Sequence, residues 1–256
     1  RIEKDKIPIS VWEKLRDYQR DVLINLLEQL KTCGCATIWI ATGGGKSFMI
    51  GAILKTLFNM GVGEKAFVLA HTVDLVLQNA EFIKRWGFSA NDIGVVTSFS
   101  RQFNRKIVCC TIQTLYNAVK KCVNVNNNKF ENGDEVEEKE VLKYFDEVKL
   151  NTNEMNELVR NYMQANIVII DECQYVPVKM YKTVLLANEK AIRIGLSATP
   201  FRADNRDLEI YAISGDILER RVTSSELIEK GYLVPAFIFM YIYKPNLYDN
   251  HLSYSR

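Results

Sequence analysis

Lys46 and Ser47 follow three consecutive glycines, Gly43-Gly44-Gly45, which in turn follow an apolar run ending in Ile38-Trp39-Ile40. Glycines at such a place let successive backbone N–H groups turn onto one anion without Cβ clashes. A helix opening at Lys46 adds the positive end of its dipole. In Thr42-Gly43-Gly44-Gly45-Lys46-Ser47 the lysine is then set for β- and γ-phosphates and the serine hydroxyl for magnesium. The strict form of this pattern has glycine where the chain has Ile40, but the glycines nearest the phosphates remain. The competing reading, a glycine-rich surface turn, is disfavoured by a strand before the loop and a helix after it.

Two further strings share this design. Ile167-Val168-Ile169-Ile170 runs straight into Asp171 and Glu172. Magnesium prefers oxygen ligands and keeps several waters, so Asp171 can hold it directly or through water. Glu172 can then polarise an attacking water. Phosphoryl transfer needs positioning and charge neutralisation more than covalent help, which makes Lys46, Asp171 and Glu172 the candidate catalytic groups. Ser197-Ala198-Thr199-Pro200 follows another apolar run, placed as a mechanical link to a moving track would be. Together the three strings point to a motor ATPase that uses ATP and magnesium.

The elements that must hold these groups alternate regularly. Thr37–Ala41, Ala66–His71, Ile93–Val96, Ile107–Thr111, Ile167–Ile170 and Ala191–Leu196 are short, β-branched and apolar, which reads as strands buried on both faces of a parallel sheet. Glu13–Leu30, Lys46–Asn59, Val73–Trp86 and Gln113–Lys121 have helical spacing. This is βαβ order, an α/β fold with ligands expected beyond the carboxyl ends of the strands. Residues 122–165 break the rhythm. Their polar, acid-rich start reads as a loop, and two apolar stripes follow: Val141, Leu142, Phe145 and Val148, then Met155, Leu158, Val159, Tyr162 and Met163. Asn151 and Glu154 are spaced as a capping box before the second stripe. The expectation is a helical-hairpin insertion, or equally a solvated decoration. The run 236–246 after Pro235 reads as one more strand, part of a linker over 235–256.

The bulk properties exclude little. In 256 residues, 33 basic and 31 acidic side chains nearly cancel, which argues neither for nor against nucleic acid. No apolar run reaches membrane-spanning length and no signal peptide opens the chain, so a soluble protein of the cytoplasm or nucleus, with no membrane partner, is expected. The first residue is Arg1, so the natural beginning is expected upstream. Six cysteines read as reduced, partly buried thiols. Cys33-Gly34-Cys35 is the close pair across a spacer, and His71 and His251 lie far from it in sequence, so no zinc site is expected.

These strings resemble superfamily 2 helicases and translocases, over most of residues 12–240. The resemblance implies a RecA-like P-loop domain, a mostly parallel twisted sheet with helices on both faces, as residues 35–234. Leu15-Arg16-Asp17-Tyr18-Gln19 is similar to the adenine-reading segment of that family, within an N-terminal segment and helix over 1–34. By that likeness Gln19 reads the adenine edge and Arg16 lies over or beside the base. Residues 69–78 and 110–115 are similar to the loops that contact the nucleic-acid backbone, which suggests His71, Thr72, Thr111 and Gln113 as sequence-blind track contacts; a plain strand end or helix cap is the other reading. Gln174, in Asp171-Glu172-Cys173-Gln174, stands where the family more often has histidine or aspartate, and its amide can bridge to Ser197 or Thr199. Residues 195–204 and 226–236 look most like XPB-like and UvsW-like DNA helicases and type III restriction motors. Arg202 is a further candidate DNA contact; Ala203 replaces the acid those proteins carry next to it. The resemblance implies DNA, single-stranded or branched duplex, as the partner. It also implies a second RecA-like domain beyond Arg256 that supplies the other wall of the ATP site. On this reading the chain is the motor of a DNA helicase or translocase in repair, recombination or replication; a restriction motor and a nucleotide-gated clamp are the alternatives. By itself the chain is expected to turn ATP over slowly.

Overall fold

A computed structural model describes residues 6–126, 152–176, 179–201 and 207–235. Six strands, β1 (Cys35–Trp39), β2 (Ala66–Ala70), β3 (Ile93–Val96), β4 (Ile107–Thr111), β5 (Ile167–Asp171) and β6 (Ile192–Ser197), form one sheet. Their order is β1-β6-β5-β2-β4-β3 and every pairing is parallel. The strands start and stop within two residues of the expected bounds. The α/β, RecA-like architecture expected from the sequence is the one observed.

The sequences of the strands explain why they pair in the interior. All five residues of β2, β4 and β5 are buried. In β2, Ala66, Val68 and Ala70 enter one apolar core while Phe67 and Leu69 enter the other. In β5, Ile167 and Ile169 divide from Val168 and Ile170 in the same way. Alternation on a pleated strand thus feeds two cores, one on each face. The helices α2 (Asp17–Cys33), α3 (Lys46–Asn59) and α4 (Val73–Lys84) contribute to the first core. The helices α5 (Ile112–Asn126), α6 (Thr152–Met163), α7 (Lys179–Ala187) and α8 (Asp207–Ser214) contribute to the second. The free side of β1 is covered by residues 215–222: Thr37 N–H donates to Asp216 O at 2.8 Å and Ala41 N–H to Val222 O at 2.9 Å.

Three details differ from the sequence reading. The helix expected from Glu13 is interrupted. A short helix α1 (Ile9–Trp12) ends early, Arg16 is extended (φ −68°, ψ 161°), and α2 starts at Asp17. The Gln19 side chain accepts from the Arg16 N–H at 3.1 Å and closes this start. The second apolar stripe of the 122–165 segment is a core helix rather than a surface ornament. Met155, Leu158 and Tyr162 are buried, and the Tyr162 hydroxyl donates to Val184 O at 2.8 Å. Met163, counted with that stripe, is instead 51% exposed. The first stripe, Val141 to Val148, and the strand-like run 236–246 lie outside the described residues. Among the described cysteines, Cys109, Cys110 and Cys173 are buried and free, and burial pushes the Cys109 thiol up to about 12.

If α6 is part of the core, Leu158→Ala should cost about 2–5 kcal/mol of stability. Met163→Ala should change it by less than ~0.5 kcal/mol. Denaturant midpoints of the two variants measure the difference.

Candidate active site

Parallel pairing stacks the loops after β1, β6 and β5 side by side at the carboxyl edge. Trp39 pairs with Ser197, and Asp171 with Leu196. These three loops carry the glycine loop, Ser197–Pro200 and Asp171–Gln174. The ends of β2 and β4 continue along the same edge, with His71 and Thr72 after β2, Thr111 at the end of β4 and Gln113 in the first turn of α5.

The glycine loop needs its glycines for two separate reasons. Gly43 and Gly45 have φ of +82° and +84°, which favour glycine. Gly44 does not, but a Cβ there would lie 2.4 Å from Ile40 Cγ2 and 3.0 Å from Ala41 O. This explains the departure at Ile40: the fully buried isoleucine fills the volume that Gly44 leaves open. Lys46 and Ser47 open α3 directly after Gly45. Thr42 and Gly43 are exposed at the mouth of the loop.

The segment Leu15–Gln19 is locked to this loop. The Tyr18 hydroxyl and the Gln19 amide both donate to Gly44 O, at 3.0 and 3.2 Å. Gln19 is buried, with one amide hydrogen and one lone pair beyond those two bonds. Arg16 is exposed beside it.

Asp171 is 1% exposed. Its Oδ2 accepts from Asn79 Nδ2 at 2.9 Å, while Asp171 Oδ1 and Asn79 Oδ1 are buried with no partner. Burial holds the Asp171 carboxyl above the usual carboxylate range; the Asn79 bond opposes this and the Glu172 charge adds to it. The sequence reading missed Asn79, because nothing in its spacing on α4 separates it from an ordinary polar helix residue. Glu172 has φ +55° and ψ +57°, the one non-glycine residue with positive φ among those described. Left-handed backbone costs a glutamate about 1–2 kcal/mol, and such strain clusters at functional sites. Glu172 Oε1 lies 3.5 Å from Lys46 Nζ, so the acid and the loop lysine share one site. The orphaned, buried Asp171 oxygen and the Ser47 hydroxyl, which opens α3, are by their chemistry a fitting donor set for a magnesium ion that keeps waters and phosphate oxygens. Asp171 and Ser47 are the residues that would hold it.

A hydrogen-bond chain runs from this acid to the third string. Gln174 Nε2 donates to Glu172 Oε2 at 3.0 Å. Ser197 Oγ donates to Gln174 Oε1 at 2.7 Å, and Thr199 N–H donates to Ser197 Oγ at 2.9 Å. The Trp39 indole N–H donates to Ala198 O at 2.8 Å, and the Phe201 ring packs edge-on to Trp39 at 5.0 Å.

The residues expected to touch a track meet different fates. Thr72 is the N-cap of α4; its hydroxyl accepts from Leu75 N–H at 3.3 Å and is exposed. Gln113 Nε2 donates to His71 O at 3.3 Å, which ties the start of α5 to the loop after β2. The His71 ring packs on Tyr175, centroids 4.6 Å apart. Thr111 is 5% exposed, and its hydroxyl pairs with that of Thr114 at 2.8 Å. Arg202 lies outside the described residues.

The family model for the type III restriction enzyme, res subunit, matches residues 13–202. The chain belongs to that family. It is a first RecA-like domain of the superfamily 2 helicase kind. Over 100 residues it is 41% identical to "Putative helicase 22" of Sulfolobus islandicus filamentous virus (isolate Iceland/Hveragerdi), a match covering 39% of this chain and 17% of that protein. The UvsW helicase of bacteriophage T4 has a similar fold, with a TM-score of 0.55 and 15% identity over 79% of this chain and 59% of UvsW. So does the type ISP restriction-modification enzyme LlaGI, solved as a nuclease-deletion mutant with a DNA substrate mimic. Its TM-score is 0.53, with 18% identity over 86% of this chain and 21% of LlaGI. Among the described residues no helix is long and apolar enough to cross a membrane.

Two predictions follow from the site. Burial raises the folded-state pKa of Asp171, so its ionisation costs stability, and that cost grows as pH rises from the ordinary carboxylate range through the raised value. Without added divalent cation, Asp171→Asn should therefore raise the melting temperature at neutral pH, with the gain vanishing in acid; a pH series of melting curves tests it. Gly44→Ala should lower stability through the Ile40 contact, and adding Ile40→Ala should cost less than the sum of the two single changes. A double-mutant cycle in denaturant measures that coupling.

Proposed function

We propose that this chain is the first motor domain of an ATP-dependent DNA helicase or translocase, coupling ATP hydrolysis to movement on DNA or its remodelling. The observation that carries this reading is the hydrogen-bond chain Glu172–Gln174–Ser197–Thr199. A plain ATP-binding domain has no need to tie its hydrolytic acid to a loop on a neighbouring strand. In a motor, that tie tells the rest of the molecule whether the γ-phosphate is present.

In the proposed reaction Lys46 neutralises the β- and γ-phosphates, and backbone N–H groups of Gly43–Lys46 cradle them. Ser47 and Asp171 would hold magnesium, which would supply charge neutralisation at the phosphates. Asn79 keeps the Asp171 carboxylate oriented. Glu172 accepts a proton from the attacking water, and the Gln174 amide reports the change at Glu172 to Ser197 and Thr199. Gln174 is neutral and relays by hydrogen bonds alone, so this link carries no titration of its own. His71, Thr72, Gln113 and Arg202 are proposed contacts to the DNA backbone, and the backbone N–H of Thr111 with them. A second RecA-like domain in the same full-length protein would close the other side of the site. An arginine from such a domain contributes about 10³–10⁵ in rate in related enzymes, so the present chain alone should bind ATP but hydrolyse it slowly.

The restriction-motor reading has specific support in the family model. It differs from the first in what the motor serves, not in its chemistry.

The deciding experiment compares steady-state ATPase activity of the full-length protein with single-stranded DNA, duplex, branched DNA and RNA. DNA should stimulate turnover, and Lys46→Ala should reduce it by about 10²–10³-fold, the effect of removing one preorganised charge-stabilising group. Gln174→Ala should keep ATP binding and lose most of the DNA stimulation. Turnover indifferent to every DNA would sink the proposal.

A further inference from the structure

Arg16 stands at the mouth of the proposed nucleotide site with its guanidinium over an aromatic ring from the far end of the described chain. Its Cζ is 4.4 Å from the centroid of Tyr232. The acid next to it in sequence is engaged elsewhere. Lys230 Nζ lies 2.7 Å from Asp17 Oδ2, and the Tyr232 hydroxyl donates to Asp17 Oδ1 at 3.3 Å. Arg16 is left over the ring, with a further bond from Nη1 to the Tyr18 hydroxyl at 3.3 Å.

Tyr232 is itself held on several sides. Its N–H donates to Leu227 O at 2.7 Å, in a turn that Gly231 makes with φ +71°. The turn follows helix α9 (Ser224–Glu229), whose Glu226 makes a two-point pair with Arg220. The Tyr18 ring meets Tyr232 edge-on at 5.3 Å. The next residue, Leu233, lies over the glycine loop, where a Cβ on Gly43 would come within 2.6 Å of it. Residues 227–233, the Arg16–Gln19 segment and the phosphate loop are thus one packed unit. One end faces a phosphate chain, and the other presents a planar cation with an aromatic ring behind it.

Resting on the ATP-site reading above, we propose that Tyr232 is a positioning residue for the base. Its ring holds the Arg16 guanidinium flat, so that the opposite face of the guanidinium stacks on the purine of the bound nucleotide. A guanidinium between two π faces is favourable on both sides, and a lysine ammonium does not reproduce its planar stacking. Tyr232 acts through Arg16, so its effect belongs to the base and not to the phosphates.

The test separates those two ends of the ligand. Binding of ATP and of inorganic tripolyphosphate, each with magnesium, is measured by displacement of a fluorescent ATP analogue from the full-length protein. Tyr232→Leu should weaken ATP about fivefold and leave tripolyphosphate unchanged. Tyr232→Phe keeps the ring and should restore the wild-type preference for ATP over tripolyphosphate. Arg16→Lys, at an exposed position, should lose the same preference, and it keeps the test valid should Tyr232→Leu fail to fold. Equal weakening of both ligands by Tyr232→Leu, or wild-type ATP affinity in Arg16→Lys, overturns the proposal alone. A wild-type protein that binds neither ligand overturns the ATP-site reading, and this proposal with it.

Discussion

Six parallel strands buried on both faces leave this chain little room for polar chemistry except at the carboxyl edge of the sheet. The strand interiors are mostly apolar because helices cover both sides. Each strand must therefore discharge its polar residues into the loop that follows it. Parallel pairing then brings those loops together without further design, since every strand points the same way. The order β1-β6-β5 is what makes one site of Lys46, Glu172 and Ser197, which are far apart in sequence.

Two groups at that edge carry a cost that the fold absorbs. Asp171 is a carboxylate taken out of water with one hydrogen bond to Asn79 and one bare oxygen. Glu172 holds a backbone conformation that a non-glycine residue avoids. Asp171 ends β5 and Glu172 follows it, on a fully buried strand with β6 and β2 on either side. A well-packed strand can over-determine such residues. A cation beside Asp171 would relieve the first cost, which is the physical sense of placing it there.

Much of this was legible in one dimension. The helix Lys46–Asn59 and the strands Ile93–Val96 and Ile107–Thr111 have the bounds that periodicity and β-branching indicate. A bridge from Gln174 to Ser197 or Thr199 was expected from the family resemblance, and the structure makes the bond to Ser197. The Arg16 break was not, because helical spacing continues through it while the Gln19 side chain competes for its backbone. Nor was the fate of the Thr111 hydroxyl, which depends on the helix turn that follows.

The sequence alone therefore determined the element order, the glycine loop and the acids, because those follow from local rules: β-branched runs, glycine freedom and helix starts. The tertiary structure decided which groups meet. It put Asn79 on Asp171, Ile40 beneath Gly44 and Tyr232 against Arg16. Each of those pairs joins elements whose separation is set by sheet order and helix packing, and no local spacing in the chain encodes that distance.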